Sequence, residues 1–371
     1  MRHFSIRFFL SSVTALLLLM SAARANDGIG EIGVGGVIAY GKTDKVTMRK
    51  EVLEIGTDRI DVAYEFVNES DVPVTLPIVF PLPPYGPGTP SPGYSGQPSG
   101  FSLTIDGNTK PFTTSIRAVV PGHKGGEDRD VTHLLTRAGL TQEQIALFPG
   151  AFRNSEVDVS PFKDRNVQKV QAVSNDQLKQ LRELGLLDLN PNTLRDFVDF
   201  PTWSVHIAYH WTATFLPKKV VSVSHSYEPF LGVGSSQPLN PSNIQDEKKL
   251  KDIFCGSASL LKHLRSTTSS DGWIPGATVS YILTTANTWN GPIRDFTLRI
   301  RKSKPSEVIS LCFPGKFSKV NSLTFESHLK DFSPNENLLI KYLLPGNQEA
   351  YPYAGKHGES TVPVMNRTLK P

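Results

Sequence analysis

The stretch Trp203–Phe215 constrains this chain more than any other. Trp203, Val205, Ile207, Tyr209, Trp211 and Phe215 are large and apolar, with only Ala213 smaller, and Ser204, His206, His210, Thr212 and Thr214 stand between them. Strand side chains alternate between faces, so this pattern specifies a long strand with one buried face. The same period runs through Arg59–Val67, where Ile60, Val62, Tyr64 and Phe66 alternate with Arg59, Asp61 and Glu65. Asn68-Glu69-Ser70-Asp71 is turn chemistry and Val72–Phe80 reads as a second strand, so a hairpin is expected there. Pro217-Lys218-Lys219 likewise predicts that Val220–Tyr227 pairs back on Trp203–Phe215. Other strands are expected at Val46–Arg49, Val52–Ile55, Ala277–Thr285, Asp295–Arg301, Val308–Phe313, Ser322–His328 and Leu338–Leu343.

Between these β stretches the period changes. Thr141-Gln142-Glu143-Gln144 and Ser174-Asn175-Asp176-Gln177 each spell a capping box, the second ahead of Leu178, Leu181 and Leu184 with Gly185 as the stop. The chain therefore reads as mainly β, with two β-sandwich-like regions and a helical insert between them. The divisions are a leader at 1–25, an N-terminal β-rich region at 26–125, the insert at 126–200, a C-terminal β-rich region at 201–345 and a flexible tail at 346–371. Within the first β region, 81–100 holds twelve Pro or Gly in twenty residues, which breaks both helix and sheet ladder and reads as a surface loop.

The leader has the features of an export signal. Arg2, His3 and Arg7 precede the apolar run Val13–Met20, and Ala23-Arg24-Ala25 has the A-x-A form of a cleavage site before Asn26. The run is short of the roughly 20 residues a membrane helix needs. No Cys stands directly after Ala25 to carry a lipid, and no later apolar run is of membrane length, so no stable membrane span is expected after cleavage. Removing Arg2, Arg7 and Arg24 leaves 36 basic and 35 acidic residues, which gives no electrostatic footprint for nucleic acid. In an oxidising compartment Cys255 and Cys312 are expected to pair, with two buried thiols as the alternative. That bridge closes a loop of 57 residues and contributes about 4 kcal/mol in the chain-entropy description.

Motifs that suggest chemistry fail on context. Gly36, Gly41, Lys42 and Thr43 fit G-x-x-x-x-G-K-T, but Val37-Ile38-Ala39-Tyr40 favours an extended chain and Asp44–Ile55 alternates like a strand, where a phosphate loop must open a helix. Gly28-Ile29-Gly30-Glu31-Ile32-Gly33 spells G-x-G-x-x-G with no strand before it, and reads as a flexible leader. His206 and His210 stand about 13 Å apart along a strand, too far to share one ion, and His225 lies on another run. Gly93-Tyr94-Ser95-Gly96-Gln97 misses the nucleophile elbow by its last residue. No catalytic, metal or cofactor residue is assigned, and no cofactor is expected.

Several segments together resemble one family. They are Gly35-Gly36-Val37-Ile38 with Thr43–Met48, Glu51–Ile55, Tyr64–Asn68 through Phe80–Pro83, Tyr209-His210-Trp211, His225–Pro229 and Thr285–Ile293. In order and spacing they are similar to the DUF4424 family of exported bacterial proteins. The resemblance implies an exported protein and supplies no catalytic residues, because that family has no established activity. The function expected is that of a non-catalytic binding or structural module of the Gram-negative envelope, periplasmic or secreted, with an envelope protein or glycan as partner. The alternative is an envelope hydrolase or glycan-modifying enzyme with a site between the two β regions.

Overall fold

A computed structural model describes residues 26–33, 37–86, 99–123, 126–146, 173–189, 199–238, 255–256, 258–267 and 273–344. The leader, most of the Pro/Gly-rich loop, Gly36 and the tail lie outside the described residues. Strands β1 (Gly28–Ile32), β2 (Ile38–Tyr40), β3 (Val46–Ile55), β4 (Ile60–Asn68) and β5 (Val74–Pro81) come first. Then follow β6 (Ser99–Ile105), β7 (Asn108–Thr109), β8 (Thr113–Val120) and β9 (Arg129–Asp130). Helices α1 (Thr132–Arg137), α2 (Gln142–Ala146) and α3 (Asn175–Glu183) come next, before β10 (Leu187–Leu189) and β11 (Asp199–Pro201). The expected capping boxes open α2 and α3, each with reciprocal side-chain to backbone hydrogen bonds. The chain continues through β12 (Ser204–Phe215), β13 (Val220–Glu228), β14 (Gly232–Pro238), α4 (Ala258–Thr267) and β15 (Trp273–Tyr281). It ends with β16 (Ile293–Arg301), β17 (Val308–Ser310), β18 (Ser318–Lys319), β19 (Thr324–Phe332) and β20 (Leu338–Leu343).

The protein is mainly β, as expected, in several sheets with few helices. Six strands in the order β2-β1-β5-β12-β8-β9 form one sheet, and eight in the order β18-β19-β16-β3-β4-β13-β6-β7 form another. A four-stranded sheet, β14-β15-β20-β17, ties to the end of β3 where the Tyr342 hydroxyl donates to the Ile55 carbonyl at 2.9 Å. Strands from before and after the helical stretch share the two large sheets. Between those sheets lies an aromatic core, with Phe66 against Phe215 and Trp289 and Phe101 stacked on Tyr209. Cys255 and Cys312 form a disulfide, their Cα atoms 5.1 Å apart.

Neither expected hairpin forms. β4 pairs with β3 and β13, whereas β5 pairs with β1 and β12, so Asn68–Asp71 carries the chain from one sheet to the other. Pro217–Lys219 does the same between β12 and β13. The two arches lie side by side, joined by a parallel bridge between Asn68 and Pro217. Buried Asn68 fixes both: its amide donates to the carbonyls of Val72 and Phe215 at 2.8 and 2.9 Å, and its Oδ1 accepts from the Ser70 nitrogen and hydroxyl. Its own carbonyl accepts from the Lys218 nitrogen. Val46–Arg49 and Val52–Ile55 also merge into one strand, β3, which absorbs the break with a bulge between Met48 and Lys50.

Gly28–Gly33, expected to be flexible, also forms a strand, β1, over Gly28–Ile32. β1 pairs with β2 and β5, and its glycines are required by close approach rather than by looseness. A Cβ on Gly30 would stand 2.9 Å from Val79 Cγ1, and one on Gly28 would stand 3.0 Å from Thr285 Cβ. Asn68→Ala takes the amide donor from the buried Phe215 carbonyl, while the Val72 carbonyl keeps the Ser70 hydroxyl, and is expected to cost roughly 2 kcal/mol, read from urea unfolding. A loss below about 0.5 kcal/mol, the range of an ordinary surface change, would contradict the double-arch account.

Candidate functional site

Asn26 and Asp27 enter the sandwich immediately before β1 and are both buried. A 3-10 turn, Thr284–Thr288, and the Trp289 that follows it clamp them. The Thr285 hydroxyl accepts from the Asn26 nitrogen and donates to the Asn26 carbonyl at 2.5 Å. The Thr288 hydroxyl accepts from the Ile29 nitrogen at 2.9 Å, and the Trp289 indole donates to the Asp27 carbonyl at 2.7 Å. The Asn26 amide then reaches both carboxyl oxygens of Glu51 at 3.0–3.1 Å, while its Oδ1 accepts from the Tyr64 hydroxyl. That hydroxyl lies 3.2 Å from the hydroxyl of Tyr281. Asp27 Oδ1 lies 2.8 Å from His225 Nε2, whose ring is ringed by Tyr64, Phe80, Phe101 and Trp211.

Alternation explains how these polar groups come to lie inside. Glu51 shares the inward face of β3 with Leu53 and Ile55, and His225 shares that of β13 with Val223 and Tyr227. Burial disfavours the charged forms. It pushes Glu51 up to about 8, against the smaller downward pull of the Asn26 amide. It raises Asp27 as well, with His225 opposing. The phenols of Tyr64 and Tyr281 are held well above their ordinary range for the same reason. Asp27 Oδ2 and His225 Nδ1 are buried without hydrogen-bond partners. The cluster is sealed from solvent among the described residues: it can hold protons and lock the N-terminal strand.

An accessible cleft lies elsewhere. A cleft of about 830 Å³ opens beside β12, lined among others by Glu31, Asp106, Lys110, Phe112, His210 and Trp211. Strand register creates it. β8 accompanies β12 only from Val119↔Ser204 to Thr113↔His210, whereas β5 continues to Val74↔Phe215. Trp211–Phe215 therefore has a ladder on the β5 side alone, and Lys110–Thr113 faces it across the gap. Successive residues of an antiparallel strand point their N–H and C=O groups to opposite sides, so this half-edge turns backbone donors and acceptors into the cleft.

The residues singled out in the sequence are scattered. Gly41, Lys42 and Thr43 form the link from β2 to strand β3, with no helix behind them, and the Thr43 nitrogen donates to the Thr288 carbonyl. His210 lines the cleft, His206 lies on the outward face of β12 and His225 is in the sealed core. Among the described residues no three His, Cys, Asp or Glu side chains stand close enough to hold a metal ion. His206 Nε2 lies 3.2 Å from the Ser204 hydroxyl, but Ser204 is buried and its hydroxyl donates to the Val119 carbonyl. Desolvation, reinforced by Arg117, lowers His206 to about 4. No helix among the described residues is long and apolar enough to cross a membrane.

The fold and these two sites define a β-sandwich protein with a sealed polar core and an open strand edge. A family model described as a domain of unknown function, DUF4424, matches residues 25–340, and the chain belongs to that family. No curated protein matches it. Solved structures with partial similarity include a Legionella pneumophila protein provisionally described as nutrient binding, 12% identical, with a TM-score of 0.40 over 86% of this chain and 72% of that one. An M1 zinc metallopeptidase from Deinococcus radiodurans is 8% identical, with a TM-score of 0.27 over 82% of this chain and 43% of that one. This chain thus spans less than half the length of that peptidase.

The raised Glu51 carboxyl has a measurable consequence in a chain that keeps Ala25, where the Asn26 nitrogen is an amide. The folded state then holds a proton that the unfolded state releases above the ordinary 4.5. Stability from this group is complete below that value and falls as pH rises toward about 8, by up to ~1.4 kcal/mol per pH unit. Urea unfolding of that chain between pH 5 and 8 is expected to show the fall, with Asp27 adding in the same direction. Glu51→Gln is expected to flatten it, and an unchanged slope would contradict the assignment.

Proposed function

We propose that this is an exported periplasmic protein that acts as a binding module of the Gram-negative envelope, taking an extended segment of a partner protein into the cleft beside β12. The observation that supports this reading is the half-edge Trp211–Thr214, laddered on one side only, inside an open cavity. A segment laid along it gains main-chain hydrogen bonds by strand addition. The cavity volume is in the range that binding sites use, and the lining gives a cation at Lys110, carboxylates at Glu31 and Asp106, and apolar surface at Phe112 and Trp211. The catalytic alternative needs a shifted acid or base beside an accessible nucleophile. Asp27, Glu51 and His225 are shifted or paired but sealed, and Ser204 is buried beside His206.

Thr212 is exposed on the half-edge, which allows a direct test. A photo-crosslinking residue at Thr212 is expected to give one discrete adduct in intact envelopes. The same residue at exposed Ser322, which does not line the cleft, is expected to give none. No adduct at Thr212, or equal adducts at both positions, would remove the cleft as the binding site.

A further inference from the structure

Asn26, the residue after the A-x-A motif, belongs to the core and not to the surface. It is fully buried, its nitrogen donates to the Thr285 hydroxyl, and its side chain joins Tyr64 to Glu51. Around it buried polar groups are left short of partners. Both Glu51 oxygens share the single Asn26 amide, and Asp27 Oδ2, on the adjacent residue, has no partner at all. The titratable groups facing this space are Glu51 from β3, Tyr64 from β4, His225 from β13, Tyr281 from β15 and Asp27 itself.

We propose that cleavage between Ala25 and Asn26 turns the Asn26 nitrogen into a buried α-ammonium, the resident cation of the Asp27–Glu51 cluster, so that processing completes the folded state of the mature chain. In the hydrolysis the water oxygen joins the Ala25 carbonyl carbon, which leaves as a carboxylate. The nitrogen keeps the electron pair of the broken C–N bond and takes up protons to become an ammonium. One N–H stays available to Thr285, and two new donors appear on the residue adjacent to the unpartnered Asp27 Oδ2. A cation one side chain from Glu51 favours the ionised carboxylate and so reverses part of the effect of burial. The inference does not depend on the cleft. It shares with the proposed function only the export signal.

The secreted protein tests it directly. N-terminal sequencing of material purified from the envelope is expected to begin at Asn26. Its α-amine is then expected to acetylate at least tenfold more slowly at pH 7.5 than the same amine in urea-unfolded protein. A different first residue, or an α-amine as reactive folded as unfolded, overturns the proposal, and neither outcome bears on cross-linking at Thr212. Recombinant chains beginning at Ala25 and at Asn26 give a second reading. The longer chain is expected to unfold at lower urea, with a deficit that widens from pH 5 to pH 8 and shrinks when both carry Glu51→Gln. Equal midpoints across that range also overturn it.

Discussion

Two carboxyl groups and an imidazole lie between apolar sheets in this protein, and the rest of the structure is arranged around holding them. Burying Asp27, Glu51 and His225 costs free energy unless partners are in place, and removing one member of such a set typically costs several kcal/mol. The partners come from four separate stretches: Asn26 before β1, Tyr64 in β4, Tyr281 in β15, and Thr285 to Trp289. None of these contacts is local, since Asn26 and Thr285 are 259 positions apart. The cluster therefore forms only when the first and last thirds of the chain have met.

The double arch makes that meeting possible. Because β4 to β5 and β12 to β13 both cross between sheets at the same corner, each large sheet takes central strands from distant parts of the sequence. One side chain, Asn68, serves both crossings. The same topology produces the cleft: β12 is a long strand flanked by a shorter one, and the mismatch in length leaves five residues with a single ladder. The sealed core and the open edge are thus two results of how β12 and β13 are placed.

Much of this was legible residue by residue. Alternation located β12 and β4 closely, and β20 begins and ends where the pattern of Leu338–Leu343 does. Capping boxes placed α2 and α3. Pairing was not legible, because a period of two determines which face a side chain takes and says nothing about the neighbouring strand. A turn between two strands therefore reads as a hairpin whether it folds back in one sheet or arches to another. In the structure the Asn68 side chain, bonded to both arches, helps hold the arched outcome. Glu51 and His225 left a usable signal, since each is a polar residue on an otherwise apolar face. Asn26 and Asp27 left none, for two residues carry no period, and the glycines after them serve close packing that sequence reads as looseness.

The Trp289 indole proton reports directly on how firmly the N-terminal segment is held, because it is donated to the Asp27 carbonyl inside the core. Its hydrogen exchange in the native protein, followed by NMR at increasing low concentrations of urea, gives the free energy of the opening that exposes it. If the segment before β1 is locked into the sandwich, that free energy and its urea dependence equal those of global unfolding. Exchange through a low-energy opening with little urea dependence would mean that the N-terminal segment frays freely, and the sealed core described here would not hold.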